Sequence, residues 1–296
     1  MSGAASLSIV LPAFDEEAGI GVTLKSLQAA FPEAELIVVD DCSRDETAAA
    51  VRSFAGVRLV QHDFNRGQGA ALKTGMLAAN RPFVAWFDAD NEHRAEDLAR
   101  MVIRIEAEKL VAVIGQRTTS SANTTRAAGK ALIRLIGRGL QVKGGSDLNC
   151  GLRVFRREII LRYLPLIPDR FSASLMTTLI LLERRYPVAF EPVATNPRLG
   201  ESTVRLKDGF EAILQLIRAV MLFGPLRLFL PLGLALLALG TLYSLVMLMI
   251  VGQGLPPAGV LVLLAGLLSI MLGLIADQIS QLRLTRIPAL SDEDKT

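Results

Sequence analysis

The sequence predicts an α/β domain with a mostly parallel sheet flanked by helices, followed by a C-terminal transmembrane helical hairpin. Three observations carry this. Short apolar runs alternate with helix-length segments over the first two thirds of the chain, the pattern of a parallel sheet covered on both faces. Phe83-Val84-Ala85-Trp86-Phe87 runs without interruption into Asp88-Ala89-Asp90, so it reads as a strand buried on both faces with two carboxylates at its tip. Leu226 to Val251, uncharged except for Arg227, and Ala258 to Ile275 are each near or above the ~20 apolar residues that cross a bilayer.

Composition sets the outer limits. The 296 residues suggest about two domains, at ~100–200 residues each. A net charge of +3, with no Arg- or Lys-rich run interleaved with aromatics, argues against a nucleic-acid partner. The pI near 9.0 suits a protein facing an anionic membrane surface. Cys42 and Cys150 have no metal-site spacing and read as reduced thiols of a cytosolic domain. Leu7 to Leu11 is too short for a secretory signal, so the soluble part is expected in the cytoplasm.

Taken in order, Ser8 to Pro12 is a first strand, ending in Ala13-Phe14-Asp15-Glu16-Glu17. Ile20, Leu24, Leu27 and Ala30 then repeat at the helical period. Leu36 to Val39 is a second strand, ending in Asp40-Asp41-Cys42-Ser43, and Ser43 or Asp45 is placed to cap the next helix. Val57 to Val60 is a third strand, ending in Asn65-Arg66-Gly67-Gln68-Gly69, with a helix from about Ala70 to Asn80. The Phe83 strand is the fourth. A helix over about Glu96 to Glu108 leads to a fifth strand, Val111 to Gly115, ending in Gln116-Arg117. Beyond it, Asp147 and a Gly-containing turn precede a short strand; Ala173 to Arg185 reads as helix and Val188 to Phe190 as strand.

In a parallel sheet these polar strand ends share one edge, where open α/β sheets bind ligands. Asp15, Glu17, Asp40, Asp41, Asp88 and Asp90 therefore form one acidic cleft, suited to ribose hydroxyls, a base N–H and a metal. Asp88 and Asp90, with Glu92 as a third oxygen donor, suit Mg²⁺ or Mn²⁺ held against substrate phosphates. The Gly67-to-Thr74 turn is not a P-loop, because Leu72 stands where the second glycine is needed. It also lacks the third glycine of a dinucleotide fingerprint.

Thr118 to Thr125 is a polar loop. Lys130, Arg134 and Arg138 share a helical face, either a solvated side or a platform for lipid phosphates. Leu206 to Phe223 has one apolar face, at Phe210, Ile213, Leu214, Ile217, Val220 and Met221; it packs on the globular domain or lies in the membrane interface, and its position favours the interface. Arg218 and Arg227 precede the two spans, and Arg283 and Arg286 follow them, which puts both ends of the hairpin in the cytoplasm. The resulting division is residues 1–205 catalytic, 206–224 interfacial helix, 225–285 two spans and 286–296 cytosolic tail.

Leu11 to Glu17, Val38 to Thr47, Asn65 to Ala71, Asp88-Ala89-Asp90, Gly115-Gln116-Arg117 and Asp147 to Arg153 together resemble a family 2 glycosyltransferase of GT-A fold. Within it the chain is similar to the polyprenyl-phosphate sugar transferases, the dolichol-phosphate mannose synthase-like group, over about residues 7 to 205. One branch of that group also carries a terminal two-span hairpin. The resemblance implies that Pro12, Ala13, Glu17 and Asp41 hold the nucleoside and that Asp88, Asp90 and Glu92 hold the metal on the diphosphate. Asp15, Asp40, Gly67 and Ala89 complete the donor side. Three positions depart from the family pattern: Glu92 stands for a frequent Gln, Gln68 for a common Lys, and Thr203 for a Lys that Arg205 can replace.

The implied reaction moves a sugar from a GDP- or UDP-linked donor to a polyprenyl (undecaprenyl or dolichyl) phosphate at the cytoplasmic face of the inner membrane. It is inverting and metal-dependent, the metal acting as a Lewis acid on the leaving diphosphate. An ionised phosphate acceptor needs cations rather than a base: Arg117 first, then Arg198 and Arg205, with Arg126 and Lys130 behind. A hydroxyl acceptor, as in a glycolipid or polysaccharide, would need Asp147 as base. A processive polysaccharide synthase would carry a Gln-x-x-Arg-Trp signature, and Trp86 is the only tryptophan. A non-catalytic membrane scaffold with a transferase fold is the remaining alternative, and a homo-oligomer is compatible with the sequence.

Overall fold

The computed structural model of this chain describes residues 6–118, 147, 149–170, 173–197, 221, 224–252 and 256–285. Arg126, Lys130, Arg134, Arg138, Arg198, Arg205, residues 206–220 of the amphipathic segment and the 286–296 tail lie outside them. The chain divides into two compact units, Met1–Ile213 with Leu290–Thr296, and Leu214–Ala289.

The first unit is built on seven strands: β1 (Leu7–Ala13), β2 (Glu35–Asp40), β3 (Val57–Gln61), β4 (Phe83–Trp86), β5 (Ala112–Arg117), β6 (Arg153–Arg156) and β7 (Val188–Val193), in the order β3-β2-β1-β4-β6-β5-β7. All neighbours pair parallel except β6, which runs antiparallel to both β4 and β5. The helices of the unit are α1 (Glu17–Ala30), α2 (Thr47–Arg52), α3 (Gln68–Ala78), α4 (Ala95–Ala107), α5 (Arg157–Arg162) and α6 (Ala173–Glu183).

Side-chain alternation along β1 sets the two layers. Ile9 and Leu11 join Ile20, Leu24 and Leu27 of α1 and Leu98, Met101, Val102 and Ile105 of α4 in one buried cluster. Val10 points the other way, where a Cβ at Gly75 of α3 would strike it. Helices thus cover both faces, as the apolar strand runs require. Each large aliphatic side chain removed from water contributes about 1.5–3 kcal/mol. The spacing of Leu98, Met101, Val102 and Ile105 makes α4 amphipathic, and Glu96 and Asp97 sit in its first turn, where a helix favours negative charge. Ala30 of α1, expected on the buried face, is exposed; Thr23 is buried instead and donates to the Ala89 carbonyl at 3.1 Å.

The direction of β6 was not legible in the sequence. It inserts between β4 and β5, pairing Trp86 with Arg153 and Phe83 with Arg156. Arg153 is fully buried, 5.8 Å from the Trp86 ring centroid, with Nε donating to the Cys150 carbonyl and Nη1 to the Thr178 hydroxyl, both at 2.7 Å. Burial pulls its pKa down to about 10. The guanidinium ties the start of β6 to α6 beneath the sheet edge that carries the predicted site.

The second unit is a hairpin of α7 (Leu226–Val251) and α8 (Pro257–Thr285). Both helices are long and apolar enough to cross a membrane, with 26-residue candidate spans Leu226–Val251 and Pro257–Leu282. The second helix runs on past the uncharged stretch that ends at Ile275, to Thr285. Their outward faces expose Leu242, Met249, Leu261 and Leu268, unlike core helices of a soluble fold. Small residues line the seam: Gly266 lies against Leu237 and the Gly233 carbonyl, and Gly240 against Leu263. This close approach is how helices gain contact without a hydrophobic drive between them.

Candidate active site

Because β1 to β5 and β7 run the same way, their C-terminal ends share one edge, and antiparallel β6 begins there. Of the five non-glycine residues with positive φ among the described residues, Asp15, Cys42 and Asn91 lie in the turns after β1, β2 and β4. Uncommon backbone geometry therefore concentrates at this edge, as it does at functional sites.

On the β1–β3 side, carboxylates face the backbone of neighbouring loops. Asp15 Oδ1 accepts from Arg44 N at 2.7 Å, while Asp15 N donates to Ser43 Oγ at 3.0 Å. Glu17 Oε2 accepts from Glu46 N, and Glu17 N donates to Asp45 Oδ2, both at 3.0 Å. The loops after β1 and β2 are thus laced together. Of the two predicted caps, Asp45 serves the start of α2 by accepting from Thr47 N at 3.0 Å, and Ser43 is used for the lacing. Pro12 is half-buried, and Ala13 is buried with its carbonyl accepting from Asp41 N.

Asp40 and Asp41 are buried, 1% and 2% exposed, rather than lining an open cleft. Asp40 accepts from Ser43 N and Gln61 Nε2, both at 3.0 Å. Asp41 accepts from Arg66 N at 2.9 Å and Gly67 N at 2.6 Å, and pairs with His62 Nδ1 at 2.7 Å; His62 Nε2 lies 2.9 Å from Thr74 Oγ1. Asp41 therefore fastens the Gly-rich turn to the sheet edge. The glycines of that turn serve a backbone contact: Gly67 has φ +101°, a Cβ on it would lie 2.7 Å from the Asp169 carbonyl, and one on Gly69 would collide with the Pro168 carbonyl. Ala70 N donates to Asp169 O at 2.7 Å. Gly67, expected on the donor side, is needed here for the close passage of residues 168–170.

On the β4–β6 side, Asp88 and Asp147 meet side chains. Asp88 Oδ2 lies 2.9 Å from His93 Nε2, and Gln68 Nε2 donates to Asp88 Oδ1 at 3.4 Å. Asp90 is 5% exposed and its Oδ1 accepts from Glu92 N at 3.0 Å. Ala89 is buried, backed by α1 through Thr23. Asn196, after β7, donates to the carbonyls of Glu92 and Asn91 and fixes this turn from the far side. Arg117 Nε donates to Asp147 Oδ2 at 2.7 Å and Nη2 to Oδ1 at 3.2 Å, while Nη1 reaches Glu92 Oε1 at 3.5 Å.

Electrostatics follow from these pairings. Burial pushes the Asp147 carboxyl up, but the hydrogen bonds and charge of Arg117 outweigh it and leave its pKa below the usual range. The same pair raises Arg117. Asp147 is therefore a held anion and a poor proton acceptor near neutral pH. Burial draws the His93 imidazole down, and the hydrogen bond and charge of Asp88, with Glu92 and Asp90, more than restore it. Burial pushes the Cys150 thiol up to about 11.

The predicted metal trio does not converge. Among the described residues no group of three His, Cys, Asp or Glu side chains could hold a metal ion, because Asp88 turns to His93, Asp90 to its own turn and Glu92 to Arg117. The donor chemistry still fits a hard divalent cation, since Mg²⁺ commonly takes one or two carboxylates and completes its shell with water and substrate phosphates. Asp88 keeps a quarter of its side chain exposed, and the space beside it depends on Gly151, where any Cβ would collide with the carboxylate. Arg117, the expected acceptor cation, has its fork filled by Asp147. Arg198 and Arg205 lie outside the described residues.

Sequence reasoning missed His62, His93 and Asn196. The chain has two histidines, and each binds a carboxylate singled out at a strand end. That scarcity, with both falling just after strands, was the available signal; nothing in the local pattern points to Asn196.

Residues 8–164 match the model for glycosyl transferase family 2, and residues 224–282 match the GtrB C-terminal hairpin. An uncharacterised protein of Methanocaldococcus jannaschii is 30% identical over 226 residues, covering 71% of this chain and 90% of its own length. A dolichyl-phosphate beta-glucosyltransferase of Dictyostelium discoideum is 29% identical, covering 68% and 73%. An undecaprenyl-phosphate 4-deoxy-4-formamido-L-arabinose transferase of Pseudomonas fluorescens is 29% identical, covering 82% and 73%. The crystal structure of glucosyl-3-phosphoglycerate synthase from Mycobacterium tuberculosis with Mn²⁺, UDP and glucosyl-3-phosphoglycerate aligns with a TM-score of 0.62 at 21% identity, covering 74% of this chain and 81% of that one. At that identity the likeness shows the fold alone.

Proposed function

The chain belongs to glycosyl transferase family 2, and we propose that it transfers a sugar from a nucleoside-diphosphate donor to a polyprenyl phosphate at the cytoplasmic face of a membrane. The relatives named for dolichyl and undecaprenyl phosphate support the acceptor, and the apolar hairpin supports a substrate that lies in the bilayer. One observation supports a phosphate acceptor over a hydroxyl. Asp147, the candidate base for a hydroxyl acceptor, is held as an anion in a two-bond ion pair with Arg117. A phosphate acceptor is ionised near neutral pH and needs no base.

In this reading an acceptor phosphate oxygen attacks the anomeric carbon. The bond from that carbon to the donor diphosphate breaks, and the electron pair leaves with the nucleoside diphosphate. Asp88 and Asp90 would hold Mg²⁺ or Mn²⁺, which neutralises the charge growing on the leaving group. The laced loops after β1 and β2 shape the nucleoside side. Arg117 supplies the acceptor cation when its fork exchanges Asp147 for phosphate oxygens, the geometry that guanidinium groups favour. Arginines on both flanks of the hairpin, Arg218, Arg227, Arg283 and Arg286, support a cytoplasmic catalytic unit at the inner membrane.

The test supplies the full chain with labelled UDP- and GDP-sugars and either undecaprenyl phosphate or the free polyprenol. Transfer to the lipid phosphate is expected, and it should stop in excess EDTA. Transfer to the alcohol with none to the phosphate would overturn the acceptor assignment.

A further inference from the structure

His93 follows Asp88 by five positions and is 4% exposed. Its Nε2 lies 2.9 Å from Asp88 Oδ2, and its ring stands edge-on to Phe87, centroids 5.7 Å apart at 79°. Its other nitrogen, Nδ1, is buried with no hydrogen-bond partner among the described residues. A buried polar atom left unmet costs free energy and calls for an explanation. Packing against Phe87 does not supply one, because a phenyl ring would fill the same space at no polar cost. What a phenyl ring lacks is a donor aimed at Asp88.

His93 supplies such a donor to Asp88. The Asp88 side chain is partly exposed at a strand tip, it packs so close to Gly151 that a Cβ there would strike Oδ2, and Gln68 reaches its other oxygen at 3.4 Å. The His93 Nε2–H gives Asp88 a short contact from a buried ring, which restrains the rotation of the carboxylate. We propose that His93 is a positioning residue that locks the Asp88 carboxylate in the orientation that receives the divalent cation of the bound nucleotide. The inference rests on the nucleotide-sugar reading above. Hydrogen-bond partners of ligating groups typically change metal affinity ten- to a hundred-fold when removed.

The experiment measures Mn²⁺-dependent binding of UDP and of GDP to the purified full chain by calorimetry, with the manganese EPR signal as a second readout. His93→Phe keeps the ring and deletes the donor. It should weaken Mn²⁺-dependent nucleotide binding roughly ten- to a hundred-fold, leave binding in EDTA unchanged, and keep the thermal midpoint at or above wild type. His93→Gln, whose amide nitrogen can take the place of Nε2, should recover most of the loss. In an Asp88→Asn background, His93→Phe should have no further effect on Mn²⁺. The proposal is overturned by a His93→Phe protein that binds like wild type, by an equal loss in EDTA, by a His93→Gln protein as weak as His93→Phe, or by additive losses with Asp88→Asn. Should His93→Phe fail to fold, His93→Gln and the Asp88→Asn background decide it. Wild type that binds neither nucleotide with Mn²⁺ would remove the nucleotide-sugar reading itself, and the inference with it.

Discussion

At the end of β2, Asp41 takes backbone N–H groups on both oxygens and a histidine that itself reaches Thr74. At the end of β4, Asp88 meets the His93 and Gln68 side chains and packs against Gly151. The residue type, strand direction and sheet edge are the same. One carboxylate ties loop backbone together, and the other meets the side chains of His93 and Gln68. An acidic residue at a strand tip is thus assigned by its partners, not by its place.

The largest expected effect is at Asp88 and Asp90. Asp88→Asn or Asp90→Asn should lower turnover by at least ~100-fold, in line with losing one electrostatic contact to the reacting centre, while the thermal midpoint barely moves. Equal losses of stability and rate would erase the distinction between the two sides. Asp41→Ala should show the opposite signature. It strands two loop N–H groups and His62, so chemical denaturation should report a loss of about 2–3 kcal/mol. A stable Asp41→Ala protein with a specific loss of nucleotide affinity would instead place Asp41 among the ligand-binding groups.

Asp147→Asn tests the boundary case, a carboxylate whose partner is a cation. With a phosphate acceptor the rate should fall less than ~10-fold, whereas removing a true general base costs ~10²–10⁴. The pH dependence has a definite sign. The folded pKa of Asp147 is depressed, so the stability it contributes is fully present above its ordinary value of 3.8. That stability is lost only as pH falls below it through the folded value. Stability compared between wild type and Asp147→Asn should therefore differ by a constant amount from pH 5 upward, and a difference that titrates near neutrality would refute the ion pair. The smallest effect concerns the cysteines. Cys42, half-buried on the β1–β3 side, should take iodoacetamide at pH 8, while Cys150, buried with its pKa pushed up to about 11, should react only after unfolding. Mass spectrometry of the labelled peptides distinguishes them.

The alternation of apolar runs with helical segments was enough to place β1 to β5, α1, α3, α4 and both apolar helices, because burial of one face imposes its period on the residues themselves. The same logic put the polar strand ends, Asp88 and Asp90 among them, on one edge. Periodicity carries no information about which way a short strand runs. The insertion of Arg153–Arg156 between β4 and β5 was decided by long-range pairing, with the Arg153 guanidinium buried over Trp86. Side-chain partners were decided the same way. Asp41 with His62, Asp88 with His93 and Arg117 with Asp147 join residues 21, 5 and 30 positions apart, and such contacts exist only once the sheet has brought separate loops to one edge. The sequence by itself determined which residues arrive there, since hydrophobic pattern is local. Only the tertiary structure decided which of them are spent on one another, since a hydrogen bond depends on ångström-scale distance between loops that are far apart in the chain.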